Sequence, residues 1–258
     1  MTASRATHPV WHVEHVVATA STNDLAARRP AGTVIVADRQ TSGRGRHGRA
    51  WTSDLGGLWC SFAVATPGPT ARWALLPLAA GWALRTALGD LGLTGTHLRW
   101  PNDLMIGPRK LAGILVERFQ PDTAVIGIGL NLVNTPGHTD PALVGTTTRL
   151  ADHLDPMPSR EAVLEALLHR LSSTLEWLER DEAATLTAEL DSAWSKTPVR
   201  VALRPDGRVV TGHFAGITPT GDLRLQESGG PLRILPALDV EWLREEGKLG
   251  INDLGSMT

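Results

Sequence analysis

Along the first half of the chain, apolar residues fall mostly into short alternating or continuous runs, the pattern of strands, and helical spacing is confined to a few segments. VWHVEHVV (10–17) predicts a strand. STNDLAARR (21–29) predicts a short helix with Ser21 as N-cap and Pro30-Ala31-Gly32 as its stop. TVIVA (33–37) is β-branched and apolar, hence a buried strand, and a loop rich in Gly and Arg follows it directly. GLWCSFAVA (57–65) predicts another strand, and the Ala- and Leu-rich residues 70–91 a buried helix. THLRWPNDLMIG (96–107) predicts strand, turn, strand, because Pro101-Asn102-Asp103 is turn chemistry between apolar flanks. KLAGILVERF (110–119) and AVIGIGLNLV (124–133) add two strands that a hairpin connection could join.

Further on, Val163, Leu167, Leu171, Leu175 and Leu178 recur every three to four residues among charged neighbours, so 159–190 predicts one or two amphipathic helices. Past Trp194 the period shortens again. PVRVAL (198–203), GRVVTGHFAGI (207–217), GDLRLQ (221–226) and PLRILP (231–236) predict short strands of a small antiparallel, barrel-like unit. The expected class is α+β: a mixed-sheet domain with flanking helices (1–195), a small β domain (196–246) and a flexible tail (247–258).

Composition removes several function classes. At 258 residues, 42% hydrophobic and 20% charged, the chain can build one good core plus a small satellite. A formal net charge of -2 makes any cationic cluster a local feature, which speaks against a general nucleic-acid or membrane-surface binder. The single cysteine, Cys60, excludes an internal disulfide and a cysteine zinc site. No targeting or membrane-spanning run is read, and a cytoplasmic location is expected. Basic residues divide into 22 Arg and three Lys (Lys110, Lys196 and Lys248), so a lysine here is informative.

Three stretches carry chemistry. In TSGRGRHGRAW (41–51), Gly43, Gly45 and Gly48 let backbone N–H groups converge on an anion, and Arg44, Arg46 and Arg49 supply forked donors for carboxylate or phosphate. The plainer alternative is a solvated loop or an Arg/Gly contact to nucleic acid. Ordering about ten residues costs on the order of 1 kcal/mol or more each, so the loop is expected to be mobile until a ligand contributes its contacts. In RWPNDLMIGPRKLAGILVE (99–117), Lys110 enters a strand just before the small residues Ala112 and Gly113, which suits an amine reaching into a pocket. A surface Lys110 and a turn-forming Asp103 are the alternative; in a chain so biased to Arg, a retained lysine argues for a compact point charge. In GIGLN (127–131), alternating glycines permit close approach to the strand, and Asn131 offers both a donor and an acceptor to a flat heterocycle; taken alone, the motif reads more simply as a buried strand ending in a turn Asn.

Together, STN at 21–23, Gln40 with the loop to Trp51, RWPNDL at 99–104, KLAGILVE at 110–117 and GIGLN resemble biotin–protein ligases, also called holocarboxylase synthetases. The order and spacing match over residues 10–135, and the β domain near 197–245 sits where that family carries an SH3-like domain. The resemblance implies a catalytic fold of the class II aminoacyl-tRNA synthetase and biotin–lipoyl ligase type. It also implies two steps: biotin and ATP, with Mg²⁺, give biotinyl-5′-adenylate, and a lysine of a biotin carboxyl carrier domain then takes the biotinyl group. Ser21, Thr22, Asn23 and Gln40, with Gly43, Arg44, Arg46, Trp51, Lys110 and Gly113, would hold biotin; Arg46, Arg49, Trp51, Asn102, Lys110 and Asn131 would hold the nucleotide. Lys110, Arg46 and Asp103 would carry catalysis, with Asp103 orienting the incoming amine or accepting its proton.

The family usually has lysine where this chain has Arg99, which is therefore left out of the catalytic set, and usually a basic residue at Ala50. STN beginning at residue 21 leaves no room for the winged-helix domain of some relatives, so operator binding is not expected; a monomer or weak homodimer is. The rivals are a lipoate–protein ligase or octanoyltransferase, the latter needing a nucleophilic cysteine, and a nucleic-acid-binding module. Cys60, in the apolar run WCSF, reads as core.

Overall fold

The computed structural model describes residues 10–180, 182–194 and 198–246, so the expected tail and residues 195–197 at the expected boundary lie outside it. Strand β1 (His12–Thr19), helix α1 (Thr22–Ala26), β2 (Thr33–Gln40) and β3 (Gly57–Ala65) are followed by α2 (Leu76–Asp90), β4 (Thr96–Arg99), β5 (Asp103–Ile106), β6 (Arg109–Gln120) and β7 (Thr123–Asn131). After these come α3 (Pro136–Thr139), α4 (Arg160–Glu179), α5 (Ala183–Ala193), β8 (Pro198–Leu203), β9 (Val209–Ile217), β10 (Leu223–Glu227), β11 (Leu232–Leu235) and β12 (Val240–Glu245). The fold is α+β, as expected.

A seven-stranded mixed sheet runs β1-β2-β3-β7-β6-β5-β4, parallel only between β1 and β2. Side chains alternate across it. Leu58, Cys60 and Phe62 of β3, Ile126, Ile128 and Leu130 of β7 and Ala112 and Ile114 of β6 belong to the main core with α2 and α4. The alternate positions, Gly57, Trp59 and Ser61 of β3, Gly127, Gly129 and Asn131 of β7 and Gly113, Leu115 and Glu117 of β6, therefore share the opposite face. No helix among the described residues is long and apolar enough to cross a membrane.

The second sheet, antiparallel in the order β11-β10-β9-β8-β12, contains a strand absent from the sequence-based expectation. In β12 the register shifts between Val240 and Trp242, which leaves Val240 and Leu243 buried three apart, a spacing that does not look like a strand. The two sheets meet through Trp100, buried just after β4, whose indole N–H donates to the Gly221 carbonyl at 2.9 Å. Replacing Trp100 with Phe leaves that carbonyl without its donor. The variant is expected to lose about 1–3 kcal/mol of unfolding free energy in urea denaturation, and an unchanged midpoint would show that this contact does not hold the sheets together.

Candidate active site

The site-facing side of the sheet is unusually bare. Side chains fill the room left by its glycines: a methyl group at Gly127 would overlap the Asn23 amide, one at Gly129 the Trp51 indole, and one at Gly113 would come within 2.9 Å of that same indole. The glycines expected to admit a close neighbour thus do so, with Asn23 and Trp51 as the neighbours. Above them lies a cavity of about 360 Å³. Of the residues assigned to biotin, nucleotide or catalysis from the sequence, all but Gly43 line it.

One part of the wall is neutral and hydrogen-bonding. Gln40, at the end of β2, accepts through Oε1 from the Thr22 backbone N–H (2.8 Å) and hydroxyl (3.0 Å) and donates from Nε2 to Ser53 at 2.8 Å. Ser61 Oγ lies 2.7 Å from Thr22 Oγ1 and 2.6 Å from Asn23 Oδ1. The Asn23 amide donates to Glu117 at 2.7 Å. Ser21 is positioned as the α1 N-cap residue but makes no side-chain capping bond, so its hydroxyl is not committed to the helix.

The Gly/Arg loop has defined protein partners in this structure. Arg44 and Ala50 form an antiparallel bridge, and the tip turns at His47 and Gly48, both with positive φ (57° and 73°), the mirror-image turn suited to a tight hairpin. Gly43 accepts the Trp51 N–H through its carbonyl and has no space for a side chain, so it shapes the loop. Arg44 grips Asp24 with both nitrogens (2.7 and 2.9 Å) and lies 3.4 Å from Glu117. These hydrogen bonds hold the Asp24 carboxyl below its ordinary pKa. In this structure Arg44 is therefore paired with carboxylates of α1 and β6.

The other loop cations reach the second sheet. Arg46 donates to the carbonyls of Ala237 and Val240, and Arg49 pairs with Glu241 at 2.9 Å. Burial lowers the Arg46 pKa from its ordinary value, against the opposing charge of Asp103. Burial and the Arg46 charge lower that of His47, which favours the neutral ring. Its Nε2 faces the Val240 carbonyl (3.3 Å), a pure acceptor, so Nε2 carries the proton and Nδ1 accepts from Arg204 at 2.6 Å. Three loop cations thus face carboxylates or carbonyls, an arrangement unlike an open phosphate-tracking surface.

At the centre, Lys110 Nζ lies 2.5 Å from Asp103 Oδ1 and 4.9 Å from the Trp51 ring centroid. Asp103 Oδ2 accepts from Arg99 at 2.9 Å, so the arginine set aside in the sequence reading is part of this cluster. Burial opposes ionisation of Asp103, but the Lys110 and Arg99 charges outweigh it and hold the carboxyl below its ordinary pKa. Asn102 turns inward to donate to the Ile114 carbonyl at 2.7 Å. Asn131 is buried, with its amide N–H on the Thr148 carbonyl (3.0 Å) and its oxygen accepting from Asn134 (2.9 Å). Sequence reasoning missed Ser53, Ser61, Thr147 and the β12 residues Glu241, Trp242 and Arg244, and it gave His47, inside the Arg run, no role of its own. Cys60 faces the helical core with its thiol pKa pushed up by burial, so it is no nucleophile for this cavity.

Residues 16–131 match the family described as the biotin/lipoate A/B protein ligase family. The chain is 36% identical over 247 residues to the biotin–[acetyl-CoA-carboxylase] ligase of Mycobacterium tuberculosis, covering 91% of this chain and 90% of that one. It is 29% identical over 223 residues to the ligase of the same name from Paracoccus denitrificans, covering 80% and 88%. Among solved structures, the biotin protein ligase from Aquifex aeolicus in complex with biotin and ATP is similar with a TM-score of 0.77 at 26% identity, over 90% of this chain and 98% of that one. The chain belongs to the biotin/lipoate A/B protein ligase family, and within it to the biotin–protein ligases.

Proposed function

We propose that this chain is an ATP-dependent biotin–protein ligase that condenses biotin and ATP to biotinyl-5′-adenylate and pyrophosphate, then transfers the biotinyl group to a lysine of a carboxylase's biotin carboxyl carrier domain. The observation that carries this reading is the linear order of the cavity wall. Gly127 beneath Asn23 and Asn131 lie four residues apart on β7, about 13 Å at strand spacing, and Gly129 beneath Trp51, with Lys110 nearby, comes between them. A hydrogen-bonding corner for a ureido head, an apolar wall with a cation, and an amide for a purine thus follow one another. This is the order of biotin, phosphate and adenine in the adenylate.

In the first step a carboxylate must approach an α-phosphate that is itself anionic. Two unit charges at 4 Å repel by about 4 kcal/mol at an effective dielectric near 20. Lys110 is the cation placed to offset this, exchanging Asp103 for the ligand's oxygens, with Arg46 and Arg49 holding the loop against the second sheet as a cover that keeps water from the mixed anhydride. Asp103, released from Lys110 and still beside Arg99, then faces the acceptor amine. With Arg99 still on its other oxygen, Asp103 is placed to orient the incoming ammonium as a carboxylate. Mg²⁺ would enter with the triphosphate. Among the described residues no cluster of three His, Cys, Asp or Glu could hold a metal, and Asp103 and Glu241 are already paired with cations. A division into a catalytic unit (1–195) and a C-terminal unit (196–246), a cytoplasmic location and a monomeric or weakly dimeric state are part of the same proposal.

Biotin is expected to drive ATP–pyrophosphate exchange while lipoate and octanoate do not; exchange with lipoate instead would move the chain to the other branch of its family. Lys110→Ala is expected to slow that exchange about 100-fold or more, the scale of losing one preorganised charge donor, and near-normal exchange would remove Lys110 from the mechanism. With preformed adenylate, the transfer rate is expected to keep rising with pH from 6 to 9, because the acceptor amine rather than the already ionised Asp103 titrates there. A plateau near neutrality that disappears in Asp103→Asn would instead make Asp103 the base.

A further inference from the structure

Behind Asn131 lies a buried polar chain whose direction is fixed at both ends by backbone groups. The Thr148 carbonyl can only accept, so the Asn131 atom 3.0 Å from it is the amide nitrogen, and Asn131 Oδ1 therefore faces Asn134. The Leu132 backbone N–H can only donate, and it donates to Asn134 Oδ1 at 3.1 Å, so Asn134 presents its NH₂ to Asn131. Asn131, Asn134 and Thr148 are 1%, 6% and 4% exposed, too enclosed for bulk water to replace either partner. Thr148 is held in turn: its N–H donates to the Lys110 carbonyl at 2.9 Å, the Lys110 N–H donates to the Thr146 carbonyl at 2.9 Å, and its hydroxyl meets His153 Nε2 at 2.8 Å.

We propose that Asn134 and the backbone of 146–148 are positioning residues for nucleotide recognition: they lock the sense of the Asn131 amide, so that one remaining N–H and one remaining lone pair of Asn131 are offered to the base in a fixed orientation. The inference rests on the reading of Asn131 as the residue that meets the nucleotide. The same segment is bonded to the Lys110 backbone, so the phosphate-facing cation and the base-facing amide share one support.

Asn134→Asp isolates the effect. It keeps an acceptor for Leu132 but puts a carboxylate oxygen opposite Asn131 Oδ1, and turning the Asn131 amide over moves the conflict to Thr148. In biotin-dependent pyrophosphate exchange, the KM for ATP is expected to rise about tenfold or more, the scale of one buried polar mismatch, while the KM for biotin changes less than about twofold. Equal rises in both constants, or a lowered melting temperature with both constants unchanged, would overturn the inference and leave Asn134 a structural residue. If Asn134→Asp does not fold, Asn134→Ala also removes the donor, without adding charge, and is scored the same way. Asn131→Ala separates the two levels of the reading. An unchanged ATP KM there would overturn both the nucleotide reading of Asn131 and this inference, whereas a raised KM there with none in the Asn134 variants would overturn this inference alone.

Discussion

Lys110 and Asp103 meet at 2.5 Å where β5 and β6 pair, with Arg99 on the carboxylate's other oxygen and the Trp51 ring beside the ammonium. A half-buried lysine beside an apolar wall favours a counter-charge, and Asp103 provides one that is itself held ionised against its burial. Because Arg99 remains on Asp103, the ammonium can leave for another anion without stranding a lone buried carboxylate. Both partners therefore stay balanced whether Lys110 faces protein or ligand. The rest of the site is arranged around keeping that exchange possible: Gly113 and Gly129 bare the sheet so that Trp51 can lie against it, and the 146–148 segment fixes the Lys110 backbone without engaging its side chain.

The Gly/Arg loop divides its basic side chains by task. Arg44 faces Asp24 and Glu117 and fastens the loop to α1 and β6, whereas Arg46, His47 and Arg49 fasten it to the β11–β12 connection and β12. An exposed ion pair contributes little by itself, but several contacts on opposite sides of one short hairpin define where it sits. The second sheet thereby becomes part of the cavity wall, through Glu241, Trp242, Leu243 and Arg244.

Much of this was legible in the sequence, where local patterns and structure agree. The β3 run GLWCSFAVA coincides with the strand, and the period-two glycines of GIGLN and the small residues after Lys110 placed one face of the sheet as bare. The wide spacing of Val240 and Leu243 hid β12, because a register shift breaks the alternation on which strand reading depends. Partnerships were also hidden. Nothing local indicates that Arg44 faces Asp24 or that Asn131 faces Asn134 and Thr148, since these pairs are set by tertiary packing and not by spacing. Arg99 was excluded for differing from a family lysine, yet its guanidinium reaches the Asp103 carboxylate.

That Lys110 trades Asp103 for the ligand is the claim on which the account turns, and the composition makes it directly measurable. With only Lys110, Lys196 and Lys248 in the chain, ¹⁵N-lysine labelling gives three side-chain amine signals, assignable with a Lys110→Arg variant. On saturation with biotin and a non-hydrolysable ATP analogue, the Lys110 signal is predicted to move while the other two stay. A Lys110 signal that does not change when both ligands are bound would contradict the account.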